Sequence, residues 1–213
     1  MTLRSLVCVF CVICGQVPQQ AAAQTPAPER STGAFAKATA ARENARRAER
    51  YDPIFKKYAK RYFGIGFDWR QFKAQAMAES NLDSTATSWV GARGLMQLMP
   101  STFAAIQTVR PEFDRIDNPE WNIAAGIMHN RHLWKLWLPT VPDSERLRFM
   151  FGSYNAGEGN IARAHAAAIA KQLEPARWTS IEAIAPEVPR WRYRETLGYV
   201  RKIEANYTRI KAP

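Results

Sequence analysis

From Tyr51 onward the large apolar residues recur at intervals of three and four, and nowhere do they alternate at period two for long enough to build a sheet. The chain is therefore confined to helix packed on helix. Asp52-Pro53 reads as an N-cap and first helical residue, Ile54, Phe55, Tyr58, Ala59 and Tyr62 follow at helical spacing, and Gly64 stops the run. Asp68 then caps a second helix, in which Trp69, Phe72, Ala76 and Met77 recur until Ser80-Asn81 breaks the pattern. The spacing predicts further helices over 101–108, 119–137, 144–153 and 159–171. A last helix over 191–210 carries Leu197, Val200, Ile203, Tyr207 and Ile210 as its apolar stripe. The 163 residues from Tyr51 to Pro213 contain no internal repeat and suit one compact, mostly helical domain.

Two segments precede that domain. Arg4, the apolar run Leu6 to Ile13 and the small residues Ala21-Ala22-Ala23 read as a secretory signal over 1–23, cleaved after Ala23. The apolar run is too short to span a bilayer, which takes roughly 20 residues. Residues 24–50, with Pro26, Pro28 and an Ala-rich basic stretch, read as a linker with a marginal helix. Cys8, Cys11 and Cys14 all lie in the signal, so disulfides, zinc–thiolate sites and a cysteine nucleophile leave with it. Neither Cys11, after Val9-Phe10, nor Cys14, after Val12-Ile13, follows the small residues expected before a lipid-anchored cysteine. Only Arg4 of the 30 basic residues is lost, so the net charge falls from +11 to +10, a balance suited to an acidic polymer.

Within the domain Glu79 falls in the last turn of the second predicted helix. A carboxylate there faces the negative end of the macrodipole, which disfavours ionisation. An apolar wall around Ala76, Met77 and Ala78 would push its pKa further up. A carboxyl that keeps its proton near neutral pH is what a general acid needs. On these residues alone, a solvated glutamate at a helix end is the commoner arrangement.

The surrounding segment adds a second kind of information. Ala78-Glu79-Ser80-Asn81-Leu82 runs through Ser88 and Gly91-Ala92 to Gly94-Leu95-Met96-Gln97-Leu98-Met99-Pro100. Three more blocks follow: Asp117-Asn118-Pro119 with Asn122-Ile123 and Gly126; Tyr154-Asn155-Ala156-Gly157-x-Gly159; and Glu195-Thr196-x-x-Tyr199-Val200. In order and spacing these resemble the soluble type of lytic transglycosylase, over roughly Tyr51 to Tyr207. Ser153, Ser84 and His129-Asn130 depart from the family's pattern, which often has Ala, Pro and Tyr-Leu at those places.

The resemblance implies a mainly helical fold of the lysozyme-like α+β superfamily, with a goose-lysozyme-like substrate groove. It also implies cleavage of the bond between N-acetylmuramic acid and N-acetylglucosamine in peptidoglycan, with Glu79 as the single catalytic residue. Glu79 would protonate the bridging oxygen and then take a proton from the muramyl C6 hydroxyl, which closes onto C1 to leave a 1,6-anhydro end. Ordinary glycosidases use two carboxyl groups, and Asp83 is the nearest second one in sequence, although the family requires no acid there. By the same resemblance Tyr154 orients the Glu79 carboxyl, and Ser88, Gln97, Met99 and Asn155 line the groove. Tyr154 and Met99 are equally the residue types of a core. Glu195 either contacts the peptide stem or Tyr154, as the resemblance implies, or serves as a first-turn carboxylate on the helix dipole. Trp89 is the tryptophan placed to touch glycan. His129 and His132 lack a third ligand, so no metal and no cofactor are expected.

The expected partner is the peptidoglycan glycan strand, with no nucleic acid and no transmembrane segment in the processed chain, and the expected location is the periplasm. A secretion, conjugation or flagellar apparatus is a candidate docking partner. Two other readings stay open: a goose-type lysozyme-like hydrolase, which leaves reducing muramyl ends, and a basic glycan- or partner-binding protein without turnover.

Overall fold

The computed structural model describes residues 51–212 and seven helical positions between 35 and 50. The expected signal over 1–23, most of the expected linker over 24–50, and Pro213 lie outside the described residues. Contacts divide the chain into Met1–Ala41 and Arg42–Pro213. In the second unit, helices α1 (Asp52–Phe63), α2 (Arg70–Ser80), α3 (Pro100–Gln107) and α4 (Pro119–Trp137) are followed by α5 (Asp143–Ala156), α6 (Glu158–Ala170), α7 (Trp178–Ile184), a 3-10 turn at Ala185–Glu187, and α8 (Tyr193–Lys211). Isolated bridges, Thr87 to Arg93 and Arg93 to Leu98, are the extended pairing found among the described residues. The helical reading of the apolar spacing therefore holds.

The core is a consequence of that spacing. Phe55 and Tyr58 of α1, Phe72 and Ala76 of α2, Ile123 and Ile127 of α4, Phe149 and Met150 of α5, and Val200 and Ile203 of α8 are all buried in one cluster. Each such large side chain contributes about 1.5–3 kcal/mol by leaving water. Helix α2 packs along α8, α4 packs along α5 and α1, and α5 also meets α6 and α8. The chain between α1 and α2 is pinned by rings: Phe63 lies 4.4 Å from Phe67 and 5.0 Å from Phe72, centroid to centroid.

Three local expectations are corrected. Asp52 is the first residue of α1, with Tyr51 at the cap, and its carboxylate meets the buried Lys73 ammonium of α2 at 2.7 Å. Ion pairing, which no local pattern reports, takes the side chain away from capping. Asp68 stands one residue before Trp69, the cap of α2; it accepts the Arg70 backbone N–H at 3.0 Å, and its second oxygen accepts from the Tyr207 hydroxyl at 2.8 Å, tying the start of α2 to α8. Helix α7 was not anticipated. Its seven residues are too few for periodicity to stand out, yet it buries Trp178, Ile181 and Ile184, and the Trp178 ring occupies the space that a side chain on Gly152 would need.

The loop from Asn81 to Met99 is held open by specific anchors rather than by a sheet. Asn81 and Leu82 turn the chain out of α2 through positive φ, 53° and 62°. Asn122, buried in the first turn of α4, accepts from Met96 N–H at 2.8 Å and donates to the carbonyls of Arg93 and Ile116, each at 3.0 Å. Ser80 donates to Leu95 O at 2.9 Å and Tyr154 to Met96 O at 2.8 Å. Gly94 has φ +77° and lies against the Asn122 amide, where a Cβ has no room.

Asn122→Ala leaves the buried Met96 N–H without its acceptor and takes a side-chain donor from the part-buried Ile116 and Arg93 carbonyls, the latter keeping the Leu98 N–H. The expected cost is about 3 kcal/mol or more, read as a lowered midpoint in urea with an unchanged denaturant slope.

Candidate active site

Glu79 stands one residue before the end of α2, half-buried, where α8 crosses. The Tyr199 hydroxyl of α8 donates to Glu79 Oε1 at 2.5 Å. The Lys202 ammonium, one turn further along α8, donates to Ala78 O at 2.6 Å and so places a cation on the C-terminal end of α2. Burial pushes the Glu79 carboxyl up to about 7, against the opposing pull of the Tyr199 hydrogen bond and the Lys202 charge. The upward shift expected from the sequence is present, and loss of water around the carboxyl is its cause. Tyr199 is enclosed in turn, and burial first, then the Glu79 charge, hold its own pKa well above the phenol range. It therefore stays a neutral donor.

A groove of about 770 Å³ is lined by Met99, Thr102, Ile106, His129, Tyr154 and Asn155, among others, and Glu79 stands behind its wall rather than in its lining. Tyr154 links the two: it lines the groove, and the Glu79 charge acts on its buried hydroxyl. That hydroxyl donates to Met96 O, so the direct hydrogen bond to Glu79 expected of Tyr154 is made instead by Tyr199. Tyr199 was visible in the sequence as part of the last block, but nothing local assigned its hydroxyl a partner 120 residues away.

The remaining expected residues divide. Met99 is 40% exposed at the cap of α3 and, with Asn155, faces the groove. Ser88 Oγ accepts from Ala92 N–H at 2.9 Å and closes the turn that carries Trp89, which is 88% exposed. Gln97, at φ 45°, donates through its amide to the carbonyls of Ala86 at 3.1 Å and Gly94 at 2.9 Å. Ser88 and Gln97 thus hold the loop backbone, and neither is in the lining of the 770 Å³ groove. Glu195, in the first turn of α8, pairs with Arg192 at 3.1 Å and borders a separate hollow of about 200 Å³ with Asn155, Asn160 and Arg190. Asp83 accepts from the Thr85 N–H at 2.8 Å and the Thr85 hydroxyl at 2.7 Å. The groups that act on Glu79 ionisation are Tyr199 and Lys202, with no second carboxylate among them.

His129 belongs to the groove wall although its position departs from the resembled pattern. Its ring lies 5.3 Å from Tyr154, and burial, then the neighbouring His132, pull its pKa down to about 4. His132 approaches Glu158 at 3.4 Å on the same wall.

A helical domain that sets one half-buried, proton-holding carboxyl behind a groove-wall tyrosine has an arrangement that fits the lysozyme-like class. Residues 53–175 match the Transglycosylase SLT domain family. The membrane-bound lytic murein transglycosylase F of Pectobacterium atrosepticum is 32% identical over 158 residues, covering 73% of this chain and 31% of that protein. Its counterpart from Salmonella choleraesuis is 33% identical over 156 residues, 72% and 28% of the two chains. Among solved structures, the 70 kDa soluble lytic transglycosylase SLT70 of Escherichia coli superimposes with a TM-score of 0.55 at 26% identity, covering 74% of this chain and 23% of its own. A complex of the 70-kDa soluble lytic transglycosylase with bulgecin A gives a TM-score of 0.59 at the same 26% identity, over 78% and 25%. The chain belongs to the Transglycosylase SLT domain family, and it spans about a third of the length of the curated relatives it matches.

The raised Glu79 pKa has a consequence for stability. Between its unfolded value of 4.5 and its folded value of about 7 the native state binds the extra proton, so this group's contribution falls as pH rises through that window. Glu79→Gln removes the titration. The variant should match the wild type in thermal midpoint near pH 4 and exceed it at pH 8, by at most about 3 kcal/mol, in paired thermal melts.

Proposed function

We propose that the domain is a peptidoglycan lytic transglycosylase that breaks the glycosidic bond from N-acetylmuramic acid to N-acetylglucosamine without water. The observation that carries this reading is Glu79: a carboxyl with pKa about 7 whose ionisation is governed by burial, the Tyr199 hydrogen bond and the Lys202 charge, with no second acid among the described groups that act on it. Inverting glycosidases need a second carboxylate to activate water, and retaining ones need it as nucleophile. A nucleophile carried by the substrate removes both requirements.

In the proposed cycle protonated Glu79 gives its proton to the bridging oxygen as the bond from that oxygen to muramyl C1 breaks, and the glucosaminyl half departs as an alcohol. The Glu79 carboxylate then takes the proton of the muramyl C6 hydroxyl while that oxygen bonds to C1. Atoms and charge balance without water, and Glu79 ends protonated for the next turn. A pKa near 7 serves both halves, since the group must give and regain a proton at similar cost. Tyr199 and Lys202 stabilise the intermediate carboxylate, while burial stabilises the acid.

Met99, Tyr154, Asn155 and Trp89 are proposed sugar contacts, with Ser88 and Gln97 acting through the loop that holds Met99. Glu195 is proposed to meet the peptide stem at the hollow it borders. Relatives are named membrane-bound and murein-acting, and no helix among the described residues is long and apolar enough to cross a membrane. These support an envelope location, for which export through residues 1–23 to the periplasm is the proposed route, with residues 24–50 as the tether and a wall-spanning apparatus as a candidate docking partner.

The test digests purified sacculi with wild type and Glu79→Gln and weighs the released muropeptides. Anhydromuropeptides are expected from the wild type, with Glu79→Gln slower by at least about 10²-fold, and wild-type kcat/KM should decline above about pH 7 as the acid loses its proton. Reducing muramyl ends would make the enzyme a lysozyme-like hydrolase. No products from either protein would leave a binding role.

A further inference from the structure

A chain of hydrogen bonds runs from the core to the acid. Asn130 Nδ2 of α4 donates to Gln75 Oε1 of α2 at 2.7 Å, Gln75 Nε2 donates to the Tyr199 hydroxyl of α8 at 3.1 Å, and Tyr199 donates to Glu79 Oε1 at 2.5 Å. Gln75 and Asn130 are wholly enclosed, and neither lines the groove. Packing does not account for them. Asn130 Oδ1 is buried without a partner, and two apolar side chains would fill the same space without an orphaned oxygen.

The direction of the chain matters more than its existence. Tyr199 oxygen already accepts from Gln75, so its proton is directed at Glu79 Oε1, and that oxygen is committed as an acceptor. When Glu79 is protonated its proton then resides on Oε2. With the Gln75 amide alone turned over, Gln75 Oε1 would accept the Tyr199 proton, Tyr199 would be left to accept from Glu79 on Oε1, and Gln75 Nε2 would meet the Asn130 Nδ2 donor. The Asn130 donor opposes that reversal by occupying Gln75 Oε1. We infer that Gln75 and Asn130 are positioning residues, acting through Tyr199 to keep the reactive proton on Glu79 Oε2, away from the core. The inference rests on the proposed transglycosylase reading for its catalytic meaning, while the protonation it describes belongs to the folded domain itself.

A chain of donors pointing one way also strengthens its last member, so Tyr199 holds the Glu79 carboxylate more firmly with Gln75 behind it. The other titratable or charged groups bearing on Glu79 are Lys202 of α8, and Tyr154 of α5, whose hydroxyl it affects in return. Neither is bonded to Gln75 or Asn130.

The test compares wild type with the paired variant Gln75→Leu/Asn130→Leu, which removes the chain without orphaning either partner, and with Tyr199→Phe. For the paired variant, kcat on sacculi should fall about tenfold with KM within about twofold, and the basic limb of the pH profile should move up by about one unit. Tyr199→Phe should move the limb in the same direction and further. A second measurement needs no turnover: the pH dependence of the stability difference made by Glu79→Gln, in each background, reports the Glu79 pKa by linkage and should rise by the same amount. Single Gln75→Met, close in shape to glutamine, takes the place of the paired variant if that fails to fold. An unmoved linkage pKa, with thermal stability alone reduced, overturns the inference. Wild type that releases no anhydromuropeptides while the linkage pKa still moves would sink the proposed activity and leave the positioning intact.

Discussion

The hydrogen bond from Tyr199 to Glu79 is the contact on which the site depends, because it exists only where α8 lies along α2. The packing that brings these helices together also strips water from the carboxyl, so one event both raises the Glu79 pKa and supplies the donor that limits the rise. Leu197, Val200 and Ile203 provide the apolar drive on one side, and Phe72 and Ala76 on the other. The Asn206 amide, donating to Ala74 O at 3.1 Å, and the Tyr207 hydroxyl on Asp68 fix the pairing at the other end of α2. A shift of α8 by one turn, about 5.4 Å, would carry Tyr199 and Lys202 off the end of α2 together.

The second constraint is on the loop that follows. Its chain reverses without a sheet to satisfy its backbone groups, so side chains from three helices do so: Ser80 of α2, Asn122 of α4 and Tyr154 of α5. This accounts physically for blocks scattered through the sequence. The serine next to Glu79, the asparagine and glycine of α4, and the tyrosine at the end of α5 converge on Leu95 and Met96, with Gly126 giving Met96 the space a methyl group would fill. Met99, which follows, is thereby delivered to the groove edge as the cap of α3.

Much of the fold was legible because its signals are local. Apolar spacing marked α1 to α6 and α8, Gly64 marked a helix end, and a glutamate in the last turn of α2 pointed to a raised pKa before any neighbour was known. What was not legible depended on distance along the chain. Asp52 looks like a cap until Lys73 is brought to it, and α7 is too short to declare a period. Tyr154 and Tyr199 are both tyrosines in matching blocks, and sequence order says nothing about which hydroxyl reaches the acid. Gln75 falls on the buried face of a helix whose pattern was read from its apolar members alone. Ser88 and Gln97 were assigned to the groove because their positions match, and sequence order could not show that they also hold the backbone of a loop without strands.

In the proposed cycle, the balance at Glu79 explains why a single carboxyl would be enough. Deeper burial without a donor would make a stronger reservoir for the proton but a poor leaving carboxylate, since the anion left after protonating the bridging oxygen would have nothing to stabilise it. A salt bridge without burial would hold the carboxylate ionised and leave no proton to give. Here burial raises the pKa, Tyr199 and Lys202 lower it, and the outcome sits near neutrality. Lys202 achieves this without a direct bond to Glu79: its ammonium is spent on Ala78 O, close enough to moderate the charge and too committed to quench it. An acid that must become a base within the same turnover requires that its two forms be nearly equal in free energy, and opposing contributions from one helix crossing meet that requirement more simply than a second carboxylate would.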